Sequence, residues 1–167
     1  MSDYNSIESQ VYNQKISETS TTQNVPLGTR VRAIDSADTA YGEGEFIYLQ
    51  GVASTVVGSV VTYNQGDNTT TLLGVDQVGP VACAMSICVA SNYGWYQIFG
   101  QAVAKGLASL ADAANLYATG TPGSVDDAIV AGDRVQNAVT TSALDTPSTG
   151  LVEVSLQYPI VNNGLAD

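Results

Sequence analysis

An all-β fold, a compact β-barrel or sandwich carrying an extended N-terminal arm, is predicted by three observations. From Gly28 onward the chain is a series of short β-branched runs separated by Gly, Asn, Asp and Pro, the punctuation of an all-β domain. Two of these runs, "SVVTYN" and "TTTLL", flank the polar loop "QGDN" and read as a hairpin with a four-residue connection. The first 25 residues differ in kind, because Ser, Thr, Asn and Gln make up more than half of them.

That polar segment cannot bury enough apolar surface to fold alone. The chain is therefore divided into an arm over residues 1–27 and a β-rich body over residues 28–167. Tyr4, Ile7, Val11, Tyr12 and Ile16 are the arm's apolar and aromatic side chains and hence its candidates for gripping a partner. A short helix over Ile7 and Val11 is the competing expectation. Fully extended, at ~3.3 Å per residue, the arm would reach roughly 80 Å.

In the body, "TRVRAID" and "EFIYLQ" read as the first two strands, followed by the hairpin. "GPVACAMSICVA" then alternates large and small: Val81, Cys83, Met85, Ile87 and Val89 on one face, Ala82, Ala84, Ser86, Cys88 and Ala90 on the other. Such a strand suits burial on both sides. "GWYQIFG" is a strand after the turn "SNYG". "QAVAKGLASLADAANLY" fits either period, with strand favoured for its first half because Gly106 weakens a helix. "NLYATG", a Pro-Gly turn in "TPGS", "DRVQNAVTT" and "GLVEVSLQYPIV" complete the body. Residues 60–86 and 116–142 share a weak internal similarity, each reading as strand, polar turn, short strand, Gly-led connection and strand.

Composition narrows the function. The 167 residues suffice for one ordinary domain, and only 13% are charged. Sixteen acids against five bases give a net charge of −11, which repels a phosphate backbone, so no nucleic-acid partner is expected. No apolar stretch approaches the roughly eighteen residues needed to span a bilayer, and the N-terminus has no basic and apolar leader. A protein made in the cytosol without a membrane partner is expected. Cys83 and Cys88 would sit about 16 Å apart on one strand, too far for a disulfide, and read as free buried thiols.

The chain has no histidine. That removes Ser-His-Asp and Cys-His nucleophiles, His-containing zinc sites and the usual general base. Two cysteines cannot make a Cys₄ site, and no phosphate-binding glycine motif is present, so no cofactor is expected. The remaining pair is Glu43 and Glu45 in "YGEGEFIYLQG". On a strand they share a face, about 6.6–7 Å apart at Cα, and carboxyl separations of about 6.5–9.5 Å belong to inverting glycosidases. Such a pair must flank the scissile bond from opposite walls, whereas positions i and i+2 stand side by side. An exposed or interface-facing rim is the expected role, with a weak calcium site shared with Asp35 or Asp38 as the lesser one. Asp126 and Asp127 point to opposite faces, and "GDN" at 66–68 lacks EF-hand spacing, so both read as turns. Tyr93, Trp95 and Tyr96 are core or interface anchors first and a sugar-stacking platform second.

The runs "YGEGEFIYLQGVASTVVGSVVTYN", "GPVACAMSICVASNYGWYQIFGQAVAKGLAS" and "LYATGTPGSVDDAIVAGDRV" resemble the head decoration, or cement, proteins of tailed bacteriophages over about residues 28–160. None of these landmarks is a catalytic motif. The resemblance implies a β-rich, non-enzymatic virion protein on the capsid surface, with the major capsid protein and its own copies, as a homotrimer, for partners. It also implies an N-terminal arm that ties subunits together; Glu43, Glu45 and Trp95, as strand rim and aromatic anchor, are the body's own interface candidates. The alternative from another class is a carbohydrate-binding or adhesion module built on Trp95 and its neighbouring tyrosines.

Overall fold

A computed structural model of the chain describes residues 4–6, 13–37 and 41–163. Among them there is no helix, and twelve strands form one sheet that is not closed. They are β1 (Tyr4–Ser6), β2 (Thr19–Ser20), β3 (Arg30–Asp35), β4 (Glu43–Gln50), β5 (Val60–Tyr63) and β6 (Thr70–Leu72), then β7 (Val78–Ala84), β8 (Tyr93–Lys105), β9 (Asn115–Ala118), β10 (Val125–Asp126), β11 (Arg134–Thr140) and β12 (Leu151–Asn162). The sheet runs β1-β3-β4-β8-β7-β12-β11-β9-β10, with β2 against β8 and the β5–β6 hairpin attached through β7.

One type of turn opens many of these strands. Thr29 donates to the Pro26 carbonyl, Ser59 to Val56, Asn92 to Val89, Ser124 to Thr121, Asp133 to Val130 and Leu151 to Ser148. In each turn the third residue has positive φ. That is the type II arrangement, and it launches β3, β5, β8, β10, β11 and β12. Gly123 in "TPGS", at φ +78°, fulfils the Pro-Gly expectation directly. The expected hairpin is also present: Tyr63 pairs with Thr70, and Asn64 N–H bonds the Thr69 carbonyl across "QGDN".

Alternation along the central strands feeds separate cores. Phe46, Tyr48 and Trp95 enter a cluster with Val31 and Ala33, while Ile47, Leu49, Tyr96 and Ile98 enter another beneath the hairpin residues Val61 and Tyr63. A third cluster gathers Val81, Cys83, Ala102, Ala104, Leu116, Val135, Val152 and Val154 around the C-terminal strands. β7 is buried on both faces as expected, with Val81 and Cys83 in one cluster and Ala82 and Ala84 in another.

The expected strand over 79–90 stops early, however, at Ala84. Cys88 N–H turns back onto the Ser86 carbonyl, which tucks Cys88 into the core and leaves Ile87 and Val89 exposed. Both thiols are free and buried. The favoured strand at 101–105 is present as the second half of β8.

The two similar segments fold alike. β5 lies between β6 and β7, and β9 lies between β10 and β11, all antiparallel. The third strand of each unit pairs with β12. Asp133 Oδ1 accepts the Asp76 N–H at 2.8 Å, joining the turns that precede those two third strands.

The segment expected to project as an arm lies instead on the body wherever it is described. Tyr4–Ser6 pairs with β3, Thr19–Ser20 pairs with β8, and Gln14, Ile16 and Val25 are buried. Ile16 and Val25 are the physical reason: exposed in a free arm, they cover Tyr48 and Trp95 here. No helix of the described residues is long and apolar enough to cross a membrane.

Candidate functional site

The carboxylates that the sequence singles out sit on the face of β4 that carries Ile47 and Leu49, beyond the part covered by the hairpin. Glu43 and Glu45 are separated by Gly44, and Gly44 packs against β8 so closely that a Cβ there would lie 2.8 Å from Gln97 Nε2. The interleaved glycine therefore serves a close strand approach. Register sets the partners of the glutamates: Arg32 lies opposite Glu45 and Ile34 opposite Glu43. The ion pairs run diagonally, Arg32 to Glu43 and Arg30 to Glu45, the latter at 3.7 Å.

On the other side of β4 the ladder with β8 is irregular. Glu45 faces Phe99 while Phe46 faces Gln97, so Ile98 is an extra residue. Such a bulge re-aims the side chains that follow it. The buried Gln97 side chain supports it by donating Nε2–H to the carbonyls of Phe99 at 3.0 Å and Gln101 at 2.9 Å. Phe99 is thereby turned outward and meets Tyr158 of β12, their ring centroids 5.3 Å apart. The Tyr158 hydroxyl donates to Glu45 Oε2 at 2.7 Å, and this bond to a carboxylate raises the phenol pKa above its ordinary value. Arg32, Glu43, Gly44, Glu45, Phe99 and Tyr158 line a shallow pocket of about 340 Å³.

Both glutamates are thus ion-paired on the same wall, and among the described residues no third carboxylate lines the pocket opposite them. A two-carboxylate hydrolysis requires an acid and a base on either side of a bond, and this arrangement does not provide them. Among the described residues no cluster of three or more His, Cys, Asp or Glu side chains is placed to hold a metal. The calcium expectation has no support at Asp35, which is buried and accepts the Ala37 N–H, while Asp38 lies outside the described residues. Asp127 caps the Ala111 N–H and Asp67 folds onto Thr69, both as turn residues, whereas Asp126, expected in the same turn, pairs with Tyr117 as the end of β10. A second pocket, of about 370 Å³, has Glu153 as its one carboxylate among the described residues, held by the Tyr41 hydroxyl at 2.7 Å.

The remaining candidates are placed as follows. Trp95 is buried at 1% exposure, edge-on to Tyr48, with its indole N–H bonded to the Gln14 carbonyl. Tyr96 is fully buried as well and Tyr93 is half-buried against the Trp95 cluster, so these aromatics are core as first expected and do not form the alternative sugar platform. Tyr4 and Ile16 are committed to the same core as Trp95, inside the protomer and not at its surface. Ile7, Val11 and Tyr12 lie outside the described residues. Sequence reasoning missed Phe99 and Tyr158; the available signal was an aromatic followed directly by a backbone breaker, Phe99-Gly100 and Tyr158-Pro159.

Comparison with protein-family models, with curated proteins and with solved structures finds no match to this chain.

Proposed function

We propose that this protein is a structural component of a tailed-bacteriophage virion, a decoration or cement protein that binds the outside of the assembled capsid as a trimer. Its partners are the major capsid protein and its own copies, and it reaches the capsid surface after synthesis in the host cytoplasm. The observation that carries this proposal is the use made of the charged groups. Glu43 and Glu45, the one carboxylate pair with a spacing that could have suggested catalysis, are each ion-paired to an arginine, which supports surface contact as the means of action. The resemblance of residues 28–160 to head decoration proteins points the same way.

The body offers such contacts. Val78 and Ile129 are 67% and 80% exposed, the highest values among the large apolar side chains described. They flank the loops joined by the Asp76–Asp133 hydrogen bond. A net charge of −11 keeps a protein needed at high copy number soluble and away from the packaged genome. A protein that binds only the assembled shell stabilises it by mass action, and three copies around an axis add avidity to weak contacts.

Co-sedimentation with mature DNA-filled heads of the phage that encodes the protein tests this. The wild type should pellet at a fixed ratio to the capsid subunit, and Val78→Asp with Ile129→Asp should bind at least about tenfold more weakly, a loss of roughly 1.4 kcal/mol. A wild-type protein that stays in the supernatant ends the proposal. Surface substitutions are preferable to removal of residues 1–25, which would strip Gln14, Ile16 and Val25 from the core.

A further inference from the structure

The pocket between β3, β4, β8 and β12 has a combination of groups that protein packing alone does not require. Phe99 and Tyr158 leave 40% and 46% of their surface in water, with their rings 33° from parallel. Beside them stand Arg32, Glu43 and Glu45, and Arg30 pairs with Glu45 from outside the lining, so each carboxylate has a guanidinium partner. The guanidinium groups supply donors in a planar fork and the carboxylates supply acceptors. The volume, about 340 Å³, lies at the small end of ligand pockets, which run from about 300 to 1,000 Å³.

Tyr158 is also held in a costly conformation. Its φ is +53°, in the left-handed region that side chains other than glycine seldom adopt, and it directly precedes Pro159, whose ring further restricts the residue before it. Glycine would sit there without that cost. The tyrosine hydroxyl bonds Glu45 Oε2, so the strained residue presents its ring at a set angle beside Phe99. Strain of this kind concentrates at functional sites.

We infer that this pocket binds a neutral saccharide: the apolar C–H face of one pyranose ring lies on Phe99 and Tyr158, while its hydroxyls exchange hydrogen bonds with Arg32, Glu43 and Glu45. With each carboxylate paired to a guanidinium the pocket presents no unpaired charge to an ion, while its donors and acceptors at the rim suit a polar, uncharged ligand better than an apolar one. Aromatic stacking beside paired donors and acceptors matches a ring that is apolar on one face and hydroxylated at its rim. The inference does not rest on the capsid proposal, because a surface glycan site is compatible with attachment to a shell through another face.

Saturation-transfer NMR on the full chain tests it, with aromatic protons irradiated and methyl pyranosides of glucose, galactose, mannose, rhamnose and N-acetylglucosamine as probes. At about 10 mM, where a site of roughly millimolar Kd is mostly occupied, at least one probe should receive magnetisation at its ring C–H protons. Phe99→Ala and Tyr158→Gly should each weaken that binding at least tenfold. Arg32→Ala, at an exposed position on the pocket's rim, should weaken it several-fold and serves if either aromatic variant fails to fold. No transfer to any of the five probes overturns the inference, and so does transfer that Phe99→Ala and Arg32→Ala leave unchanged.

Discussion

Trp95 donates its indole N–H to the backbone carbonyl of Gln14, 3.2 Å away and 81 positions earlier in the chain. The Gln14 side chain completes the attachment. Its Nε2 donates to the carbonyls of Glu18 and Tyr93 at 3.0 and 2.9 Å, and its Oε1 accepts from the Tyr48 hydroxyl at 2.6 Å and from Asn24 Nδ2 at 3.1 Å. A glutamine amide has two donors and one twofold acceptor, and all are used. The N-terminal segment is thereby pinned over the buried aromatics of β4 and β8.

Gln14→Leu should accordingly destabilise the protein by about 2–4 kcal/mol, because the buried Tyr48 hydroxyl loses its acceptor and the Glu18 and Tyr93 carbonyls each lose a donor. In a chain of this size that is a fall of roughly 5–15 °C in Tm. Trp95 fluorescence in the variant should shift to the red as the covering segment loosens. A thermal midpoint and emission maximum equal to the wild type would show that the segment is dispensable.

Gly51 and Gly120 separate crowding from mere glycine content. A Cβ on Gly51 would stand 2.0 Å from the Cys88 carbonyl oxygen and 2.6 Å from that of Val89, and backbone cannot rotate aside as a side chain can. A Cβ on Gly120 meets nothing within 4 Å. Gly51→Ala should cost at least about 3 kcal/mol, or abolish soluble expression, by forcing the 86–89 turn off β4. Gly120→Ala should stay within about 0.5 kcal/mol of the wild type. Urea denaturation of the two variants in parallel decides the matter, and equal effects would contradict the packing described.

Much of the fold was legible because each strand carries a local signal. β-branched runs bounded by turn residues locate β3 to β5 and β11 to β12, and the "QGDN" hairpin needs only its own fifteen or so residues to be recognised. The errors came where remote contacts decide. A segment rich in Ser, Thr and Gln reads as solvated, yet Gln14 is buried because four groups from residues 18, 24, 48 and 93 happen to satisfy it. Periodicity extended β7 through residue 90, although the chain must turn at Ser86 to close over Gly51. At the surface site, alternation places Glu43 and Glu45 together, but their arginines come from the register of β3. The Phe99–Tyr158 pair depends on one extra residue, Ile98, and on a strand 59 positions away.

Stability should fall on the alkaline side and stay level near neutrality. With no histidine, no side chain of ordinary pKa titrates between about pH 5 and 8. Burial pushes the Tyr4 hydroxyl and the Cys83 thiol each up to about 12, and raises Tyr48, Tyr63, Tyr96 and Cys88 as well. In the unfolded chain the same groups ionise at about 8.5 for thiols and 10 for phenols. The folded protein therefore retains protons that the unfolded chain gives up, so the stabilisation is complete below about pH 8.5 and drains away as pH rises towards 12. Urea midpoints should be equal at pH 6.5 and 8 and lower at pH 10.5, with most tyrosinate absorbance appearing only as the protein unfolds. Tyrosinate absorbance that develops fully near pH 10 in the native protein would place those rings in water and contradict the cores.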